Sequence, residues 1–387
     1  MSQTKEIKMK WVVLANFFNN AGAAFLWPLT TVYMHNYLHQ TLATAGVVLF
    51  IMSCAMIIGN YLGGWLFDHW QPYKTALASV SVATTAVILL IFFHSWPIFA
   101  ILLVVIGFGD GANITVINAY AASLKNRNSR YVFNILYMAL NLGVVVGTLL
   151  VGFLLSLGVT VVFSVTSLCY VAFLILILCT FNVKVSRDTS KSVTGSNKTH
   201  PQVIKFVWTI CLVIVATYLS YALWKSVMAV HMTNMHIPFY AYSLLWTMNG
   251  FLILFGQPLV NKLAPYLKLT RQVEVGVLIF AVSFFILIFA HTFAFFIVDF
   301  IILTVGEMLG LPGMPALIDQ VTDPSETGKY QGMANMGISV GRAIGPLYGG
   351  IIIDHGSYSL LFVSVSALMV VSLILMTYSA KRVRSLE

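Results

Sequence analysis

The chain has 387 residues, of which 59% are hydrophobic and 9% charged, with a formal charge of +9. A soluble globular protein carries about 25% charged residues, so this composition excludes an ordinary soluble fold and points to segments that cross a bilayer. The basic excess does not mark a nucleic-acid binder, because Lys and Arg are spread along the chain with no basic run.

A spanning helix needs roughly 17–25 predominantly apolar residues. Apolar runs between polar or turn-forming breaks predict helices over 11–34, 44–67, 73–93, 97–124, 131–156, 158–181, 205–233, 240–262, 271–290, 292–321, 329–353 and 356–380. The first follows Lys5, Lys8 and Lys10 and resembles a signal peptide up to its small-residue Ala-Gly-Ala. Its apolar run continues to Tyr33, which predicts a retained helix. Asn16, Asn20, Ala23 and Trp27 form a polar and aromatic stripe along it. The second span carries Gly59 and Gly63, and the fifth carries Gly143 and Gly147. In the fourth, Asn113 and Ile117 share a face with Asp110; in the seventh, Tyr218, Tyr221 and Met232 share one with Lys225. The tenth holds Glu307. In the eleventh, Gly337, Gly341, Gly345 and Gly349 recur every fourth residue, a stripe on which a neighbouring backbone can approach closely.

The polar stretch 183–202, rich in Ser, Thr and Lys, divides six spans from six. It predicts an N-terminal half over 1–182, a linker over 183–204 and a C-terminal half over 205–387, the parallel-repeat layout of many secondary transporters. With a cytoplasmic N-terminus, 19 of the 21 basic residues fall on the inner side, all except Lys225 and Arg342. Retention of positive charge inside predicts that distribution, so both termini and the linker are expected on the cytoplasmic side of a cell membrane. Cys54, Cys169, Cys179 and Cys211 lie in apolar segments without paired spacing and read as core residues.

Between spans two and three the sequence reads Gly64-Trp-Leu-Phe-Asp68-His-Trp-Gln-Pro-Tyr-Lys74. It resembles the Gly-x-Leu-Ala-Asp-Arg-x-Gly-Arg-Lys pattern of the major facilitator superfamily. Gly64, Leu66 and Asp68 match, whereas the arginine, the second glycine and the basic pair are replaced or displaced. The tenth-span segment 304–324 is similar to the Gly-Glu…Pro segment of drug:proton antiporters, and the fifth span has similar spacing around Asn141. One departure stands out: the antiporter signature Gly-x-x-x-Gly-Pro-x-x-Gly-Gly belongs in the fifth span, but here it lies in the eleventh, from Gly341 to Gly350. The resemblance implies an all-α membrane protein, twelve transmembrane helices in two six-helix halves around a central cavity lined by spans one, four, seven and ten. It also implies that Gly64 and Asp68 couple the halves during the transport cycle.

Four charged residues lie well inside the predicted spans: Asp110, Lys225, Glu307 and Arg342. A charge at the bilayer centre costs about 2.5–3.5 kcal/mol on insertion scales, so each needs a partner, water or neutralisation. Counted at about 1.5 Å per residue, Asp110, Glu307 and Arg342 lie roughly 18–23 Å from the cytoplasmic ends. The structural reading pairs Glu307 with Arg342 and Asp110 with Lys225. The functional reading makes Glu307 the first and Asp110 the second proton-coupling carboxyl, since a carboxyl whose proton affinity changes with its surroundings can be loaded and unloaded in each cycle. Arg342 is then a structural ion-pair partner, and Asn20, Trp27, Asn113, Asn141, Tyr221 and Lys225 contact substrate.

These features predict a proton-coupled secondary active transporter that exports lipophilic or amphipathic small molecules. Import of a polar or anionic metabolite, held by Lys225 and Arg342, is the alternative, followed by lipid translocation. No catalytic residue, cofactor or metal site is expected, and the protein is expected to act as a monomer with protons, a small-molecule substrate and the bilayer as its partners. Gly107-Phe-Gly109-Asp110 matches the Gly-x-Gly-Asp motif of intramembrane aspartyl proteases, but the chain contains no Tyr-Asp pair to supply the second carboxyl. It has neither a Walker A sequence nor an HExxH zinc motif.

Overall fold

A peptide group in hydrocarbon has no water to bond, so each N–H and C=O must be satisfied within its own segment. The computed structural model, which describes residues 7–124, 129–183, 200–263, 266–322 and 327–384, meets this demand with helices and has no strand among the described residues. In chain order these are α1 (Met9–Val32), α2 (Leu42–His69), α3 (Pro72–Phe92), α4 (Ile98–Ala122), α5 (Ser129–Leu154), α6 (Val159–Thr180) and α7 (Pro201–Lys225). They continue as α8 (Val227–Asn234), α9 (Phe239–Leu263), α10 (Leu269–Ile286), α11 (Phe293–Gly310), α12 (Gly313–Val321), α13 (Thr327–His355) and α14 (Tyr358–Arg384). Among the described residues, twelve stretches are long and apolar enough to cross a membrane. Most of the linker, residues 184–199, lies outside the described residues.

Local chemistry sets the ends. Pro72 and Pro201 occupy the first turn of α3 and α7, where a missing N–H costs nothing. Thr292 caps α11 by accepting from the Phe295 amide at 3.4 Å. Two predicted spans are interrupted. The helix expected over 205–233 breaks at Ser226, whose hydroxyl donates to the Ala222 carbonyl at 2.8 Å while its amide turns to Leu223. The same bond from the Ser220 hydroxyl to the Ala216 carbonyl leaves α7 unbroken, so the interruption lies in the Ser226 backbone, at φ −113° and ψ −78°. Met232 therefore stands on the separate α8 and does not continue the Lys225 face. The span expected over 292–321 divides into α11 and α12 at Leu311 and Pro312, where proline supplies no N–H to the ladder.

The chain forms two compact units. One contains Met1–Gln40, Val47–Ser190 and Pro238–Gly250; the other contains Thr41–Gly46, Lys191–Ile237 and Phe251–Glu387. In the first unit α1 packs on α5 and α6, and α3 on α4 and α6. Gly143 and Gly147 make the first contact possible: a Cβ on Gly143 would lie 2.7 Å from the Phe17 carbonyl oxygen, and one on Gly147 would lie 2.6 Å from that of Ala21. The core below it gathers Phe67, Tyr120, Phe173 and Phe181, with the Tyr120 hydroxyl donating to the Phe181 carbonyl at 3.1 Å.

In the second unit α7 packs on α13 and α14, and α10 on α11 and α14. The glycine stripe of α13 lies along α7, as the four-residue spacing predicts. A Cβ on Gly341 would stand 2.6 Å from the Val215 carbonyl oxygen and 2.9 Å from the Leu219 nitrogen; one on Gly345 would stand 2.6 Å from the Leu219 oxygen. Within this unit the first turn of α2 is also held. The Ala43 amide donates to an Asp354 carboxylate oxygen at 2.7 Å, meeting one of the unsatisfied N–H groups of a helix start.

Candidate functional site

The second unit assembles a charged and aromatic cluster from three helices. Tyr218, Tyr221 and Lys225 follow one another along α7, one turn apart. Because Gly341 and Gly345 bring the α13 backbone onto α7, Arg342 lies beside that row, with its guanidinium 5.1 Å from the Tyr218 ring centroid. The Lys225 ammonium sits 4.9 Å from the centroid of Tyr221, and the two tyrosine rings are 6.4 Å apart in an edge-on arrangement. Ring faces attract cations in this geometry, by about 0.5–1 kcal/mol at exposed sites and more when desolvated. From α11, Glu307 is buried at 9% exposure and accepts a hydrogen bond from the Tyr221 hydroxyl. Lys225 is within electrostatic reach of both Glu307 and Arg342. Two cations and one carboxylate thus face two phenol rings.

The first unit holds Asp110. At 1% exposure it accepts from the Tyr170 hydroxyl, with its two oxygens 2.8 and 3.0 Å away. Gly22 creates the room: a Cβ there would lie 2.6 Å from the Tyr170 ring. Within its own unit Asp110 thus has a phenol for a partner, one the sequence did not single out. That phenol stands on α6, while Lys225 has Glu307 and Arg342 for neighbours.

The remaining sequence candidates are more dispersed. Asn113 is buried, and its amide nitrogen lacks a hydrogen-bond partner. Asn20 donates to the Asn16 carbonyl at 2.8 Å and Asn141 to that of Tyr137 at 2.8 Å, so both amides are engaged by their own helices. Trp27 is half-buried on α1. Asn20, Trp27, Asn113 and Asn141 belong to the first unit, whereas Tyr221, Lys225, Glu307 and Arg342 belong to the second. Gly64 would place a Cβ 3.3 Å from Thr115; the tighter approaches to α4 are at Gly63, 2.8 Å from the Ala112 Cα, and at Gly59, whose Cβ would come closer still to the Phe108 carbonyl oxygen. Asp68 is exposed at the end of α2. The four cysteines are free thiols. A cavity of about 350 Å³ among Phe206, Lys268, Leu317, Gln320 and Val383 contains none of the residues singled out in the sequence.

Two carboxylates escaped the sequence reading. Asp299 is completely buried in α11, and neither of its oxygens has a hydrogen-bond partner. Its signal was plain, a single acid within the apolar run Phe296-Ile-Val-Asp-Phe-Ile-Ile302. Asp354, which holds the start of α2, ends the segment Gly349-Gly350-Ile-Ile-Ile-Asp354-His355. That segment repeats the Gly63-Gly64-Trp-Leu-Phe-Asp68-His69 pattern at the other end of the same helix α2.

Residues 12–273 and 210–386 match the Major Facilitator Superfamily, and the chain belongs to it. An uncharacterized MFS-type transporter of Bacillus subtilis, YttB, is 36% identical over 384 residues, spanning 97% of this chain and 96% of that one. Another from Escherichia coli, YdeE, is 22% identical, spanning 92% and 91%. Among solved structures, the POT family transporter PepTSo superposes with a TM-score of 0.80 at 13% identity, covering 98% of each chain. The nucleoside transporter NupG (D323A mutant) does so with 0.77 at 10%, covering 96% of this chain and 99% of that one. These structural likenesses speak for the fold. The protein is accordingly an MFS-type transporter, a multi-pass membrane protein and not an enzyme.

Proposed function

We propose that this chain is a proton-coupled secondary active transporter that exports amphipathic small molecules by alternating access of its two halves, 1–182 and 205–387. The observation that supports this reading best is the cluster of Glu307, Tyr221, Lys225 and Arg342 in one unit. A carboxyl beside two cations and a phenol has a proton affinity that changes when water enters or a charged substrate displaces a neighbour. The tyrosine rings offer apolar faces for the lipophilic part of a substrate, and the two cations favour an anionic head group. Import of a polar or anionic metabolite is the second reading; the surplus of one cation over the single carboxylate in the cluster favours it over import of a cation.

The test is transport in inverted vesicles under an acid-inside pH gradient, with a lipophilic dye carrying a carboxylate as probe. The wild type should accumulate the dye. Glu307→Gln should still exchange it across the membrane but lose gradient-driven accumulation, and Glu307→Gln with Arg342→Gln should not restore it. Recovery of accumulation in the double variant would reduce Glu307 to a structural partner of Arg342. Uptake in right-side-out vesicles alone would favour the importer.

A further inference from the structure

Asp299 stands on α11 six residues after its start, about 9 Å along the axis, and eight residues, about 12 Å, before Glu307. Its helix neighbours Phe296, Phe300 and Leu303 are all completely buried, and Phe300 packs edge-on against Trp224 of α7 at 4.5 Å. Gly306, seven residues on and therefore on the same face, lies against Gly276 and Phe280 of α10. In the antiparallel register of the two helices, this sets Asp299 opposite the stretch from Ser283 to Leu287. Ser283, Phe284 and Leu287 in that stretch are at most 1% exposed, and the Ser283 hydroxyl is already committed to the Phe280 carbonyl at 3.1 Å.

The titratable and charged groups on the surrounding elements include Arg271 and Glu274 at the far end of α10, Tyr218, Tyr221 and Lys225 on α7, His231 on α8, Tyr358 on α14 and His291 before the start of α11. His231 packs on Phe296 and, across from it, on Tyr358 of α14. Arg271 and Glu274 pair with each other at 3.5 Å. None of these groups bonds to Asp299, whose two oxygens are both unpartnered. An ionised carboxylate in such surroundings would bear its full desolvation cost without a compensating donor, whereas the neutral acid bears far less.

We propose that Asp299 is a proton-binding site of this transporter, holding its proton while buried as seen here and exchanging it when water reaches the carboxyl. It is a second carboxyl on the helix that carries Glu307, about two turns away from it. The assignment rests on the burial and isolation of Asp299 itself, so it stands or falls separately from the coupling role proposed for Glu307.

The test is difference infrared spectroscopy of the full-length protein reconstituted in liposomes, reading the carbonyl stretch of protonated carboxyls at neutral pH. Subtracting Asp299→Asn from wild type should reveal one protonated-carboxyl band, and Glu307→Gln should leave that band in place. Asp299→Leu should remove the same band, which keeps the assignment testable if the asparagine variant folds poorly. No change in the band region for either variant at Asp299 would overturn the proposal. So would a melting temperature that rises with sodium chloride but not choline chloride in wild type and not in Asp299→Asn, since that would make Asp299 a sodium ligand.

Discussion

Removing one oxygen atom tests the environment of Asp110. Tyr170→Phe keeps the ring that fills the space left by Gly22 and deletes only the hydroxyl that bonds the carboxylate at 2.8 and 3.0 Å. With Asp110 at 1% exposure, no water replaces the lost donor, and an unmet buried acceptor costs about 1–3 kcal/mol. Replacing both partners by apolar groups can be nearly neutral, so Tyr170→Phe introduced into Asp110→Leu should add little. Lys225→Met, in the other unit, should be additive with Asp110→Leu to within about 0.5 kcal/mol. Thermal unfolding of the purified protein, followed by tryptophan fluorescence, reads all of these variants. An equal loss from Tyr170→Phe in the wild-type and Asp110→Leu backgrounds would refute the assignment of the phenol as the partner. Strong coupling between Asp110 and Lys225 would restore the ion pair that the sequence suggested.

Gly341→Ala should destabilise the protein by about 1–3 kcal/mol, because its Cβ would stand 2.6 Å from the Val215 oxygen, on rigid backbone. Gly332→Ala on the same helix meets nothing within 4 Å and should be neutral or stabilising; equal melting temperatures for the two variants would undo the packing argument. Asp68→Asn should slow turnover of the transported probe while leaving its dissociation constant nearly unchanged. A large loss of affinity with normal turnover would move Asp68 into the binding site.

The spans were legible because apolar length and the placement of lysine and arginine are one-dimensional signals. The glycine stripe was legible too, since its period of four is close to the helix repeat and predicts a contact face directly. The partner of Asp110 was not: apolar length places the acid within a span, but that α6 presents Tyr170 to it depends on the rotation and neighbour of each helix. Ser226 shows the same limit on a smaller scale. Nothing in its apolar surroundings announces that the backbone turns out of the helix there and ends α7. Asp299 was overlooked for a different reason, since it shares its segment with Glu307, the acid that carried the family resemblance.

The seam between α7 and α13 has a consequence for how the charged cluster can change. Where Gly341 and Gly345 meet the Val215 and Leu219 carbonyls, any shift of one helix against the other has to slide backbone past backbone. Tyr218, Tyr221 and Lys225 on one and Arg342 on the other are spaced by that backbone contact. Glu307 rides on α11, which packs on α10 instead. Within the cluster, the carboxyl is thus carried by a helix that packs chiefly on α10, outside the pair that spaces the cations.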